Sequence, residues 1–195
     1  MTSVRAGTIP RAHWVLRLWS DKRANLAIKL LLIVAFSALT AVAKNAHPSM
    51  GIPGSSGVFW LTVMIMARAV VKTDITGTLT GVGVAAWGVP FGLEHTFGYN
   101  VLLYGASGLL LDAMTKIPKI SLENPLWAAL CGLVAHMAKF GFIVYAAMTA
   151  SVTKHFLVVG ILNSAGLHAA FGIAAGVIGW AIVKGGRFGM KRISA

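Results

Sequence analysis

Long apolar runs separated by short polar stretches dominate this chain of 195 residues. A helix needs about 20 apolar residues to cross a bilayer, whereas an outer-membrane strand alternates apolar and polar positions over about ten residues. The runs in this chain are continuous and do not alternate, so the pattern predicts helices. Six candidate spans follow, at residues 25–43, 57–71, 75–92, 97–114, 126–149 and 161–183.

Composition also favours a membrane protein. Apolar residues form 57% of the chain and charged residues 11%, against about 45–50% and about 25% in average soluble domains. A small soluble domain has too much surface for its volume to hide so many apolar side chains. The single cysteine, Cys131, cannot form a disulfide within the chain, which excludes a disulfide-stabilised scaffold.

The distribution of basic residues predicts the topology. The formal net charge is +12, from 17 lysine and arginine residues against 5 acidic residues. Cytoplasmic segments of membrane proteins are enriched in such residues. Most basic residues precede the first span, occupy the second and fourth connections, or follow the last span: Arg5, Arg11, Arg17, Lys22, Arg23, Lys72, Lys116, Lys119, Lys184, Arg187, Lys191 and Arg192. The other three connections hold only Lys44 and Lys154. The charge therefore indicates orientation, and no nucleic-acid recognition motif accompanies it.

The sequence thus predicts an all-α integral membrane protein of the inner (cytoplasmic) membrane, with six transmembrane helices and both termini cytoplasmic. Residues 1–24 are expected to form an amphipathic segment at the membrane surface, since Trp14 and Trp19 favour the interface, and the alternative is a solvated basic tail. Residues 25–183 form the bundle, and residues 184–195 a basic cytoplasmic tail. The first span also resembles a signal peptide, but its apolar run is longer than the about 7–15 residues that signal peptides use.

Small residues four positions apart allow helices to approach closely in lipid. Gly77, Gly81 and Ala85 in the third span, and Gly172 and Gly176 in the sixth, predict packing within the bundle. The first span has a small-residue face that is suited either to internal packing or to docking on a second protein. That face consists of Ser37, Ala38 and Ala41.

Polar side chains cluster in the connections that this topology places outside. The first connection, 44–57, is rich in proline and glycine and predicts a loop. Single histidines and tyrosines at an interface commonly belong to the aromatic belt, but convergence of three connections favours a pocket. The predicted ligand-binding residues are His47, Glu94, His95, Tyr99, Asn100, Lys154, His155, Asn163 and His168. Four aromatic residues in or near the outer half are candidate stacking walls: Trp60, Trp87, Tyr104 and Tyr145.

Ionisable residues within the spans are costly and commonly functional. Arg68 and Asp112, both near inner ends of spans, are expected to pair in a structural or docking role. His136 and Lys139 lie inside the fifth span. Their role stays open between snorkelling, lining a cavity and a proton path.

The chemistry of the polar residues favours binding over catalysis. No nucleophile-elbow, zinc-protease or paired-carboxylate motif is present, so we expect no enzymatic activity and no cofactor. The histidines offer enough nitrogen ligands for Ni²⁺, Co²⁺ or Zn²⁺, but none has the spacing of a metal motif. The first choice is an organic ligand with an acidic or planar group, and no metal ligand is assigned.

Three stretches carry a family resemblance: Ala35-Phe36-Ser37-Ala38-Leu39-Thr40-Ala41-Val42, Gly51-Ile52-Pro53-Gly54-Ser55 and Gly77-Thr78-Leu79-Thr80-Gly81-Val82-Gly83. Together with the six-span layout, they resemble the substrate-binding (S) component of energy-coupling-factor (ECF) transporters. The specific part of the resemblance covers roughly residues 28–92. The small-residue motif departs from the family's Ala-xxx-Ala, because Ser37 stands at its first position, and this leaves the docking partner in doubt.

The resemblance implies a subunit that captures a vitamin, a precursor or a metal ion from outside the cell. It implies that 44–57 acts as a lid and that the face of Ser37, Ala38 and Ala41 docks on a transmembrane coupling subunit driven by ATPase subunits. Two other classes stay open. One is an accessory or structural subunit of a larger membrane complex, and the other is a membrane enzyme or haem protein.

Overall fold

A computed structural model describes the backbone of residues 22–46, 51–92, 96–149 and 154–193, and side chains for 25–46, 51–92, 96–145, 148–149 and 160–188. The described residues form helices and no strand, which confirms the predicted all-α fold. The helices are α1 (Lys22–Ala46), α2 (Gly57–Val71), α3 (Thr76–Phe91), α4 (Phe97–Asn100, a π-helical turn at Val101–Gly105, and Ala106–Lys116), α5 (Pro125–Thr149) and α6 (Lys154–Ile193).

Three of these helices are long and apolar enough to cross a membrane: Asn25–Ala46, Pro125–Tyr145 and Gly160–Phe188. This indicates a membrane protein. Helix α2 is apolar, but its 15 residues span only about 22 Å against a hydrocarbon core of about 30 Å. The arrangement of six spans with cytoplasmic termini therefore stays a prediction. Helix α6 runs to Ile193, through most of the segment assigned to a basic tail.

The chain divides into two units, residues 1–31 and 32–195. Of the first unit, the structure describes the start of α1, where Leu26, Leu30 and Leu31 are all exposed. The other helices belong to the second unit, as does the rest of α1.

Within the second unit, the pattern of α1 is inverted relative to that of a soluble helix. Its buried positions recur with helical spacing, at Ile33, Ser37, Thr40, Ala41 and Lys44. Its exposed positions include the apolar residues Val34, Leu39 and Val42. A helix in water places its apolar stripe against the core. The opposite arrangement here indicates that the exposed face of α1 lies in apolar surroundings.

Glycines set the distance between the helices, as the small-residue spacing predicts. A methyl group added at Gly81 would overlap the backbone of Tyr104 in the π-helical turn of α4. Added at Gly176, it would overlap the backbone of α5 at Ala128. Helices α3 and α4, and α5 and α6, therefore touch backbone to backbone, which confirms the predicted internal packing.

The expected pair of Arg68 and Asp112 is confirmed. Arg68 Nε lies 3.0 Å from Asp112 Oδ1, and the Asp112 side chain is 3% exposed. The carboxylate also accepts hydrogen bonds from the N–H groups of Gly77 (2.9 Å) and Thr78 (2.7 Å), at the start of α3. It thus neutralises the Arg68 cation, whose side chain is 11% exposed, and satisfies free N–H groups at a helix N-terminus.

Candidate ligand-binding site

Two buried histidines from neighbouring helices stack on each other. His136 of α5 and His168 of α6 are 0% and 1% exposed. Their ring centroids lie 4.9 Å apart with an interplanar angle of 28°. A contact of this kind requires the helices to approach closely, and Gly172 allows it, since a methyl group there would lie 2.9 Å from Cβ of His136.

Hydrogen bonds to carbonyl oxygens determine the tautomer of both rings. His136 Nδ1 lies 2.8 Å from the carbonyl oxygen of His168, and His168 Nδ1 lies 2.8 Å from that of Ser164. A carbonyl oxygen only accepts, so each Nδ1 carries a proton and donates it. In the neutral form each Nε2 is therefore left with a free lone pair.

Three ring nitrogens in this region are buried without a hydrogen-bond partner among the described residues: Trp60 Nε1, His136 Nε2 and His168 Nε2. A buried polar group without a partner costs about 1–3 kcal/mol. Such groups are uncommon in native proteins, and an unfilled binding role is one physical reason for keeping them.

Aromatic rings and one cation complete the surroundings. Trp60 contacts Tyr104 edge to face, with centroids 5.1 Å apart, and lies 5.7 Å from the ring of His136. The Lys139 ammonium lies over the rings of Trp60 and Tyr104, at 5.6 Å and 5.9 Å. The term histidine cluster is used below for Trp60, Tyr104, His136, Lys139, Phe140 and His168.

Helical spacing explains why these side chains meet. His136, Lys139 and Phe140 are three and four residues apart, so they share one face of α5. Tyr104 lies in the π-helical turn of α4. Such turns shift the direction of the side chains that follow and are frequent at functional sites.

The loop before α2 covers both histidines. Gly54 adopts a φ of +81°, which favours glycine, and a methyl group there would lie 3.0 Å from Cγ of His168. A methyl group at Gly57 would overlap the imidazole of His136 at Nε2. The turn is held by a hydrogen bond of 2.8 Å from the Gly57 N–H to the Gly54 carbonyl. Residues 51–57, called the covering loop below, therefore close directly over the stacked rings.

Among the predicted ligand-binding residues, His168 lies in the cluster and Asn100 is buried one turn before Tyr104 on α4. Tyr99 is half-buried and packs against the core, whereas Asn163 is exposed. His47, Glu94 and His95 lie outside the described residues, and so do the side chains of Lys154 and His155 at the start of α6. The structure thus joins His168 to the cluster and leaves Asn163 outside it.

The small-residue face of the first span is covered in part by this chain itself. Ser37 Oγ accepts a hydrogen bond of 3.1 Å from Trp87 Nε1 of α3 and donates one of 2.8 Å to the Val34 carbonyl. Ala41 is 0% exposed, and Ala38 is half-buried. Ser37 and Ala41 therefore pack internally, which was one of the two interpretations of this face. Docking on a partner stays a prediction.

Four residues of the cluster are absent from the predicted ligand set, although sequence reasoning marked them as aromatic walls or as ionisable residues within a span: Trp60, Tyr104, His136 and Lys139. The prediction looked for polar residues in the connections, whereas these lie inside helices. The signal that would have found His136 and Lys139 is their spacing with Phe140 on one helix face, at membrane depth.

No group of three or more histidine, cysteine, aspartate or glutamate side chains that could hold a metal occurs in the described part of the chain. The two histidines provide two nitrogen ligands at most. Chemically, the cluster offers two hydrogen-bond acceptors, one indole donor, a nearby cation and aromatic walls. This set suits a planar organic molecule with donor groups and an acidic substituent.

Comparison with protein-family models, curated proteins and solved structures finds no match to this chain. The resemblance to ECF S components therefore stays a prediction. The histidine cluster stands on the geometry of this chain alone.

Proposed function

We propose that this protein is the membrane-embedded substrate-capture subunit of an ECF-type uptake transporter, binding a vitamin-like small molecule from the outer side. The observation that carries the proposal is the histidine cluster, with three unpaired ring nitrogens beneath a glycine-rich loop. A ligand that pairs these nitrogens would regain the free energy that their burial costs.

The covering loop gives the proposal its mechanism. Because Gly57 lies against Nε2 of His136, a ligand reaches that nitrogen only when the loop moves away. The loop then closes over the bound molecule and excludes water. Glycine at positions 51, 54 and 57 supports both the positive φ angles and the close contact with the rings.

The ligand class follows from the lining. Trp60 and Tyr104 offer flat apolar surfaces, and the Lys139 ammonium lies over both rings. The two Nε2 lone pairs accept hydrogen bonds from ring N–H or amino groups. A heterocycle carrying a carboxylate or a phosphate satisfies all of these groups together.

The remaining parts of the proposal are supported by the sequence. Six spans with both termini cytoplasmic agree with the alternation of basic residues in the connections. The protein is then a non-enzymatic subunit of the inner membrane, and a coupling subunit with ATPase subunits supplies the energy. Within the predicted docking face, half-buried Ala38 lies beside exposed Leu39 and Val42, which supports partner contact on that side of α1.

The direct test uses the full chain purified in a neutral detergent. Native mass spectrometry of the purified protein reports a co-purified molecule, and thermal shift with a panel of vitamins and precursors reports added ligands. We expect one compound class to stabilise the protein, and His168→Leu to abolish the shift. The control is Asn163→Ala, which changes an exposed residue of the same helix and leaves the shift intact. No bound molecule and no shift with any compound would contradict the proposal.

A transition metal is the second candidate, favoured by the two Nε2 lone pairs. Imidazole nitrogen suits Ni²⁺, Co²⁺ and Zn²⁺. Titration calorimetry with each metal, in the absence of any vitamin, separates the two ligand classes, since only a metal site would bind the ion alone. His136→Leu and His168→Leu would each abolish that binding. Purification in complex with other membrane proteins, without a coupling subunit, would instead favour an accessory subunit.

A further inference from the structure

A second pocket, remote in sequence from the covering loop, lies among the end of α2, the connection 117–124 and the last turns of α6. Its volume is about 430 Å³, within the about 300–1,000 Å³ of small-molecule sites. Four cations line it, against a single lining carboxylate, Glu123. The cations are Arg68, Lys72, Lys184 and Arg187.

The charges of this pocket do not balance. Arg68 is paired with Asp112, which is not among the lining residues. Glu123 Oε1 alone faces two cations, with Lys72 Nζ at 3.2 Å and Arg187 Nη1 at 3.0 Å. Lys184 has no carboxylate partner among the described residues, and its ammonium lies 4.6 Å from the ring centroid of Trp180. Four cations against two carboxylates leave an excess of positive charge that a bound anion would neutralise.

The chain holds these cations in place. Lys72 ends α2 in the left-handed conformation, with φ of 54°, where glycine is the ordinary residue. Arg187 Nη2 also donates to the Ala69 carbonyl at 3.3 Å. Trp180 Nε1 donates to the Glu123 carbonyl at 2.9 Å, which ties the connection to α6. The cations therefore come from α2 and α6 and are oriented before any ligand binds.

Apart from Thr115 and Ser121, the other lining residues are apolar, and they identify the source of the anion. Ile120, Leu122, Val183 and Phe188 line the pocket, and Phe188 is 59% exposed. The pocket lies where the apolar window of α6, Gly160–Phe188, ends and where that of α5 begins. Basic pockets between helices, at the ends of their membrane-spanning segments, bind anionic lipid head groups. The apolar wall accommodates the start of the acyl chains.

We infer that this pocket binds the phosphate-bearing head group of an anionic phospholipid, and that Glu123 occupies the phosphate position when lipid is absent. The phosphate would take the hydrogen bonds of Lys72 and Arg187 that Glu123 accepts, and the Lys184 ammonium beside Trp180 would add a third contact. Lipid binding would then join the ends of α2 and α6 through one ligand. This inference does not depend on the histidine cluster.

The test titrates the full chain in a neutral detergent with phosphatidylglycerol or phosphatidylcholine, followed by native mass spectrometry. We expect phosphatidylglycerol to bind with preference. Lys184→Gln and Arg187→Gln should each weaken that binding about fivefold, the effect of one basic residue on an anionic lipid. Glu123→Gln should strengthen it, because the competing carboxylate loses its charge. The matched control is Lys116→Gln, which removes the same charge from an exposed lysine that does not line the pocket.

Each alternative outcome has a defined meaning. Equal weakening by Lys116→Gln would overturn the inference, since it would indicate attraction by net charge alone. Displacement of the lipid by an equal concentration of inorganic phosphate would overturn the lipid source and assign the pocket to a free phosphate compound. Displacement by an acidic peptide at that concentration would favour a protein partner. Should Arg187→Gln fail to fold, Lys184→Gln carries the test, because Lys184 is exposed and has no carboxylate partner among the described residues.

Discussion

The histidine cluster and the pair of Arg68 with Asp112 are both polar and both buried, yet their partners differ. Asp112 compensates a guanidinium and accepts hydrogen bonds from two backbone N–H groups of α3. In the cluster, each histidine satisfies one ring nitrogen and leaves the other unpaired. The first group holds helices together, and the second is a candidate binding site. Arg68 Nε also lacks a hydrogen bond among the described residues, but it lies 3.0 Å from a carboxylate, so charge pairing distinguishes the structural network from the candidate site.

The largest effect should follow from breaking the ion pair of Arg68 and Asp112. Asp112→Ala leaves the Arg68 charge buried without a partner and removes the acceptor at the start of α3. We expect a loss of about 3–5 kcal/mol in the free energy of unfolding, measured by denaturation in detergent. Asp74→Ala is the matched control, because Asp74 is exposed in a turn. A loss equal to that of the control would show that the network is dispensable.

A smaller loss should follow from blocking the contact between the covering loop and the rings. Gly57→Ala places a methyl group where it overlaps His136, so the loop must shift. Overpacking of this kind costs about 1–3 kcal/mol. We expect the proposed ligand to dissociate faster in a stopped-flow assay. Gly98→Ala is the control, since nothing lies within 4 Å of a methyl group at that helical position, and similar effects of both variants would argue against the lid.

Removing a histidine should change stability little and binding greatly. His168→Leu removes the hydrogen bond that Nδ1 donates. It also removes the cost of burying the unpaired Nε2, and the two effects offset each other. The expected change in unfolding free energy is within about 1 kcal/mol, whereas ligand affinity should fall at least about tenfold. Calorimetry and thermal unfolding on the same sample measure both. A loss of stability as large as that of Asp112→Ala would make His168 a structural residue.

The smallest effect concerns the exposed carboxylate of Glu123. Hydrogen bonds from Lys72 and Arg187 lower the pKa of this group below its ordinary value of 4.5. Its ion pairs therefore stabilise the fold above that value, and their contribution is lost as pH falls through the lowered pKa. Because exposed pairs contribute about 0–1 kcal/mol, Glu123→Gln should cost little at neutral pH. The melting temperatures of the wild-type protein and of Glu123→Gln should differ at neutral pH and converge as the pH is lowered. A difference that stays constant with pH would contradict this assignment.

The helices were predictable because their signal is local. Apolar runs placed α2 at the residues where it occurs, 57–71, and the spacing of Gly172 and Gly176 indicated packing within the bundle, which the structure shows to be against α5. The candidate site was predictable only in part. His168 was named, but His136 was left without a role, and Asn163, also named, is exposed and outside the histidine cluster. Sequence position relative to a connection does not determine which way a helical side chain points.

The sequence by itself determined that this chain forms apolar helices suited to a membrane, and it grouped the basic residues in particular connections. Hydropathy and charge are properties of each segment by itself, so a helix can be predicted without knowing which segment it packs against. Only the tertiary structure decided that His136 and His168 stack beneath Gly54 and Gly57. That contact depends on the rotation and spacing of α5 and α6 about their shared glycines, which no single helix contains.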